Sequence, residues 1–442
     1  MKTKTYSLLI APLLRKSLLS LCVFSAASSI SFVANADSLL IKNGQVHTLG
    51  AQGVLKNADI FINDGMIQKV GTNISENADR TIDASGKIVT PGVFAVANQL
   101  GLVEIDALDQ TGDMQTEDED LGAAFTVHQV FNPNSTLIAH NRANGVTRTL
   151  IAPYAGSSLF AGKGAIMSLK GSDNGSLIRK EVAMFALYGE SGANMSGGSR
   201  ASALHQLQKA IDEAKEYSDN QEAIESGEYR ELYHSLEDLI ALQAVVAKEM
   251  PLVISVNRES DIIAMVKFAK QNDLRLVIAG AAEAWKQASL LAQEEVAVMV
   301  DPTDNIPDSF ESLGKRFENA ALLHKAGVDV VFLGQSFQST HNAHVVRQSA
   351  GNAVAYGMPY EAALKAFTVT PARIFGGASN YGKIIPGYKA ELVVWDGDPL
   401  EVTSMADQVI IDGQVTDMTT RAKRLRDRYK DIKDEKNTHY RK

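Results

Sequence analysis

A chain of 442 residues with 45% hydrophobic and 21% charged residues can bury a large core, which excludes the fibrous and disordered classes. Its formal net charge of −9 argues against nucleic acid and anionic lipid as partners. The single cysteine, Cys22, lies near the N-terminus, so the rest of the chain has neither a disulfide framework nor a thiol nucleophile.

Residues 1–36 read as a signal peptide. Lys2, Lys4, Arg15 and Lys16 form a basic lead, Ser17 to Val33 is apolar and small, and Ala34-Asn35-Ala36 is an Ala-x-Ala cleavage site before Asp37. An uncleaved membrane anchor is the competing reading, and the short, Ser-rich apolar run argues against it. Cleavage takes the net charge to about −13 and predicts a secreted, periplasmic protein with no membrane contact.

Leu39 to Val89 alternates short apolar runs with polar turns: Asn43-Gly44 and Asp64-Gly65, which supply the positive φ of hairpin turns, and Ser85-Gly86. From residue 91 the texture changes to apolar strands separated by amphipathic helices. Val146–Ile151, Leu252–Val256, Leu274–Ala279, Val296–Val300 and Val328–Leu333 read as strands. Ser202–Tyr217, Glu231–Lys248, Asp261–Lys270, Ala282–Leu291, Phe317–Ala326, Ala343–Tyr356, Pro359–Phe367 and Pro371–Phe375 read as helices. Roughly eight such units over 91–384 predict an α/β fold, a (β/α)8 TIM barrel; a doubly wound open sheet stays open, because periodicity does not show closure. Ala390–Trp395 and Val409–Val415 return to the first texture. Residues 37–90 and 385–420, each too small to hold a core alone, predict one composite β-sandwich. Residues 421–442 form a charged tail, with ten basic and four acidic residues.

Several motifs carry a family likeness: Lys87-Ile88-Val89-Thr90-Pro91-Gly92, Asn144-Gly145-Val146-Thr147-Arg148, the run Ala363 to Gly376 with Thr370-Pro371-Ala372-Arg373, and Ile385-Pro386-Gly387 leading to Glu391. Together they resemble the amidohydrolase superfamily, in particular its imidazolonepropionase-like secreted branch, with Glu391 where Asp is more usual. The resemblance implies a TIM barrel of the metal-dependent hydrolase type, with ligands at the strand ends: a His-x-His pair on the first strand, Lys or Glu on the fourth, His on the fifth and sixth, and Asp after the eighth. Here those positions fall on Ala97 and Gln99, Ser255, Gly280 and Ser336, and the fourth-strand position lies unplaced within Glu181 to Gly198. None of the five placed residues is His, Asp, Glu or Cys, so the expected metal site is vacated as a whole.

Three groups offer themselves as replacements. His341 and His344 offer two imidazoles, half of a site. The acidic run containing Glu104, Asp106, Asp109, Asp113 and Glu117 to Asp120 lacks an Asp-x-Asp-x-Asp-Gly loop and reads as solvated. Glu104, Ser255, Glu283 and His341 are the catalytic candidates. Asn98, Gln99, Asn257, Arg258 and Gln335 are the ligand-binding candidates. The expectation is a degenerate amidohydrolase-like pseudoenzyme with no cofactor. It binds a small molecule or peptide in its barrel mouth or serves as the partner of an active amidohydrolase paralogue, as a homo- or hetero-oligomer. The alternative is an active hydrolase of non-peptide C–N bonds or small dipeptides with a rearranged site, the one case in which Zn²⁺ is expected.

Overall fold

The computed structural model describes residues 38–105, 108–118, 120–171, 175–229, 232–334, 341–376 and 380–430. The expected signal peptide, Asp106, Glu119, Gln335, Ser336 and the end of the tail lie outside these residues.

The first segment forms β1 (Leu39–His47), β2 (Val54–Asn63), β3 (Met66–Gly71), β4 (Arg80–Asp83) and β5 (Ile88–Pro91). Asp64 and Gly65 take φ of 51° and 72° and make the tight turn between β2 and β3. Asn43-Gly44 corrects its sequence reading, for it is no hairpin turn. Asn43 sits at φ 62° inside continuous β1 as a bulge, and its N–H donates to Asp59 Oδ1 at 3.0 Å.

The middle segment forms the second sheet, β6 (Val93–Asn98), β7 (Val146–Ile151), β8 (Phe160–Ser168), β9 (Leu177–Leu187), β10 (Leu252–Val256), β11 (Leu276–Gly280), β12 (Ala297–Val300) and β13 (Val330–Phe332), paired in sequence order. This is the barrel sheet, with one departure from eight parallel β/α units: β8 runs antiparallel to both β7 and β9. The connections 152–159 and 169–176 are eight residues each. A crossover between parallel strands needs about a dozen or more, so these links fit only reversal of direction.

Helices cover the barrel: α1 (Thr136–Arg142), α2 (Gly189–Met195), α3 (Arg200–Glu225), α4 (Leu236–Val246), α5 (Glu259–Asn272), α6 (Ala288–Gln293), α7 (Asn319–Lys325), α8 (Val346–Ala355), α9 (Tyr360–Ala366) and α10 (Val369–Phe375). Ser199 caps α3, accepting from Ala201 N, and Ser235 caps α4, accepting from Asp238 N, which sets the starts of both helices. Inside the barrel, Phe94, Val96, Leu150, Val253, Met299, Val331 and Phe375 fill the lower part of the lumen.

The chain then returns through β14 (Leu392–Trp395), β15 (Ala406–Ile411) and β16 (Gln414–Val415). β14 pairs antiparallel with β5, which makes the N- and C-terminal segments one sheet of order β16-β15-β14-β5-β1-β2-β3, with β4 beside β1. Ile41, Ile60, Ile62, Val89, Leu392 and Ile410 form its core. The basic helix α11 (Arg421–Tyr429) has no buried residue.

The motifs at the junction have physical explanations. Gly145 leaves room for the Trp395 ring, whose Nε1 donates to Thr90 Oγ1 at 2.8 Å. Arg148 on β7 donates through Nε to Glu391 Oε2 at 2.6 Å and through Nη2 to Glu391 Oε1, and its guanidinium lies 3.8 Å from the centre of the Tyr381 ring. Gly92 packs so tightly that a Cβ there would overlap Cγ2 and Oγ1 of Thr147, a side chain buried at 1% exposure. Gly92→Ala is therefore expected to destabilise the fold by about 1–3 kcal/mol, the range for overpacking. Thr147→Ala in the same chain should restore part of the loss, with urea denaturation as the measurement.

Candidate functional site

At the C-terminal ends of the barrel strands lies a cavity of about 310 Å³. β6 contributes Ala97 and, just past its end, Gln99; β9 contributes Phe185, Ala186 and Leu187; β10 contributes Ser255; β11 contributes Ala279 and Gly280. Register explains the convergence: Leu187 lies beside Ser255 and Ser255 beside Ala279 across adjacent parallel strands. Ala97, Gln99, Ser255 and Gly280, scattered over 184 residues of sequence, thus line one cavity. From the fourth strand, within the span where the sequence left the ligand position unplaced, Phe185, Ala186 and Leu187 line the cavity, all without a donor atom in their side chains.

The backbone at these positions is specialised. Ala97 takes φ 50° at an irregularity between Val96 and Asn98 in the β6–β7 ladder. Gln99 is 1% exposed, and its Nε2 donates to the carbonyl of Ala152 at 3.2 Å. Gly280 takes φ 81°, and a Cβ there would stand 2.7 Å from Asn257 Oδ1. Any side chain at 280 meets both a strained backbone and an occupied space.

The remaining candidates have other work. Glu104 accepts from Asn132 Nδ2 and from Ser135 Oγ, both at 2.8 Å, and so fastens the loop after β6 to the cap of α1. Glu283 accepts from Lys286 Nζ at 2.8 Å and from Glu259 N at 2.9 Å. Burial works to raise its carboxyl, but those bonds outweigh it and hold it below the usual range. His341 does not line the cavity, and its carbonyl accepts from Asn141 Nδ2 at 3.0 Å. His344 packs edge-on against His140 instead, with ring centroids 5.1 Å apart. Asn98 accepts from Thr149 Oγ1 at 2.8 Å, within the β6–β7 pair. Asn257 accepts from Ala282 N at 3.3 Å, and Arg258 donates to Asp261 at 2.7 Å. Of the ligand-binding candidates among the described residues, Gln99 alone lines the cavity.

The loop after β12 supplies what the sequence reading passed over. Asp301, Pro302 and Asp304 line the cavity, with Lys315, Arg316 and Asn319. Asp301 Oδ1 accepts from Thr303 N at 2.9 Å, Thr303 Oγ1 at 2.6 Å and Ser349 Oγ at 3.4 Å. Burial nonetheless pushes its carboxyl above the ordinary aspartate range. Lys315 donates to Asp304 at 2.7 Å and Asp308 at 3.1 Å; burial would lower its ammonium, but these partners hold it above the usual lysine value. The signal for Asp301 was present: it is a carboxylate in the residue directly after a barrel strand, where barrel enzymes place their chemistry.

The donor set does not fit a zinc site. The described residues that line the cavity include no histidine or cysteine, and of their two carboxylates Asp304 is paired with Lys315. Among the described residues no three His, Cys, Asp or Glu side chains gather anywhere to hold a metal ion.

Residues 203–419 match the profile of the Amidohydrolase family, and the fold superposes on an amidohydrolase from Thermotoga maritima MSB8 with a TM-score of 0.77 and 26% identity, covering 87% of this chain and 100% of that one. The chain belongs to the amidohydrolase family. Curated relatives match over shorter stretches. Amidohydrolase tasK of Hapsidospora irregularis is 38% identical over 92 residues, 21% of this chain and 9% of that protein. A 5'-deoxyadenosine deaminase of Methanosarcina acetivorans is 46% identical over 56 residues, 12% of this chain and 13% of that protein. The chain thus spans about a tenth of the length of these two curated relatives. The cavity stands at the strand ends where the family resemblance implies a metal site and where the sequence reading expects that site to be vacated.

Proposed function

We propose that this amidohydrolase-fold protein binds a small molecule in its barrel mouth without a metal. The observation that carries the reading is that the strand-end positions of β6, β9, β10 and β11 line one cavity and offer no donor suited to zinc. A cavity of about 310 Å³ is at the small end of ligand pockets, which run to roughly 300–1,000 Å³. On this reading the chain is exported to the periplasm through residues 1–36 and acts as a binding protein or as the partner of an active amidohydrolase.

The test is elemental analysis of protein purified from its native compartment without chelator. Zinc, manganese and iron are expected well below one equivalent per chain, with intact mass giving Asp37 as the first residue. One equivalent of any of these metals would overturn the reading.

A hydrolytic reading draws its support from Asp301, the cavity carboxylate with its proton affinity raised by burial, a property shared by general bases. It requires turnover of lactams, acyl-amino acids or small dipeptides that disappears in Asp301→Asn; a screen at the level of the blank removes it.

A further inference from the structure

The polar wall of the cavity is unbalanced in its hydrogen bonding. Both of its cations are already engaged: Lys315 with Asp304 and Asp308, and Arg316 with Glu318 at 3.0 Å. Two acceptors are not. Asp301 takes its three bonds on Oδ1, and its Oδ2 receives none among the described residues. Asn319, 9% exposed and lining the same cavity, donates through Nδ2 to the carbonyl of Ala281 at 3.0 Å, while its buried Oδ1 has no partner. That donation fixes which end of the amide is the oxygen, since a flipped amide would set oxygen against a carbonyl. A buried acceptor without a donor, as at Asn319 Oδ1, is costly and rare, and a ligand that brings donors to these oxygens satisfies them. The rest of the lining, including Ala97, Ala152, Phe185, Leu187 and Leu333, is apolar.

We propose that the cavity takes a small primary amine, its ammonium received by Asp301 Oδ2 and Asn319 Oδ1 and its compact apolar body resting against Phe185, Leu187 and Leu333. This rests on the metal-free binding reading and gives it a ligand class. An ammonium brings three donors and a positive charge to a place with two unanswered oxygens. A carboxylate of the same body would bring charge of the wrong sign, and an alcohol only one donor and no charge.

Isothermal titration of the purified full chain with benzylamine, benzyl alcohol and benzoate tests the proposal. Benzylamine is expected to bind at least about tenfold more tightly than benzyl alcohol, the scale of one charge-assisted hydrogen bond, and benzoate not at all. Asp301→Asn keeps an oxygen for all three bonds from Thr303 and Ser349 but places an NH₂ where Oδ2 stood. It should weaken benzylamine at least about tenfold while leaving the unfolding midpoint without ligand unchanged. If that variant fails to fold, Asn319→Leu carries the test, with a smaller loss expected. Equal affinity for amine and alcohol, or full amine affinity in the folded variant, overturns the amine proposal and leaves the binding reading standing. Absence of binding by all three compounds overturns the amine proposal. The same absence together with one equivalent of bound metal overturns both.

Discussion

Glu391→Ala lowers the unfolding free energy by about 3–5 kcal/mol, the cost of leaving one member of a buried ion pair without its partner. The side chains of Arg148 and Glu391 are 3% and 4% exposed, and the guanidinium keeps its charge because the carboxylate outweighs the burial that works against it. Truncation leaves a buried cation beside Tyr381 without its carboxylate. Two companion variants separate the cause. Glu391→Gln keeps the shape and one acceptor and should fall between wild type and Ala. Arg148→Met combined with Glu391→Leu should recover most of the loss, since removing both charges removes the orphan. Urea denaturation at pH 7.5 is the measurement, and a loss under about 1 kcal/mol for Glu391→Ala would mean that the pair contributes no more than a surface bridge.

Acidification destabilises the protein through His344, and His344→Gln flattens the effect. Burial, with smaller contributions from His140 and Arg347, lowers the imidazole from its ordinary value near 6.5 to about 3. The folded state therefore keeps His344 neutral while the unfolded chain takes up a proton below about pH 6.5. The sign follows: stability is fully present above pH 6.5 and is lost as pH falls toward 3, at up to about 1.4 kcal/mol per pH unit. Nδ1 lies 3.0 Å from Asn141 Oδ1, a bond the glutamine amide can also make. Urea midpoints at pH 7.5, 6 and 5 for wild type and His344→Gln check this. Parallel pH profiles would show that other groups carry the acid sensitivity.

The sequence made the architecture readable because hydrophobic period and turn chemistry act locally. Continuous apolar strands such as Leu252–Val256 and Val296–Val300 and the turn at Asp64-Gly65 stand where their pattern put them. Asn43-Gly44 misled because the same dihedral angles serve a turn and a bulge, and pairing with β2 decides between them. The reversed β8 was not legible as a strand at all, because Gly162, Lys163 and Gly164 interrupt its apolar residues and Ile166 is its one β-branched residue; its direction follows from the eight-residue connections once the strand is placed. At the site, strand ends could be aligned from motifs, which is how Ala97, Ser255 and Gly280 were singled out. Asp301 was not, because its role depends on which of its oxygens Thr303 and Ser349 occupy. His344 could not be told from His341 by spacing, for packing against His140 is a tertiary fact.

Gly280 bears on what could be built in this mouth. With φ at 81° and Asn257 Oδ1 in the space a Cβ would fill, a histidine fits there only if the backbone turns and Asn257 gives way together. Ala97 is likewise at positive φ, and Gln99 is tied to the carbonyl of Ala152. A lone histidine at any of these positions would incur strain or break a bond at once and bring a single donor where an ion needs several. An engineer who wanted a metal here would have to change backbone, neighbour and ligands in one step, since no single substitution is rewarded on its own.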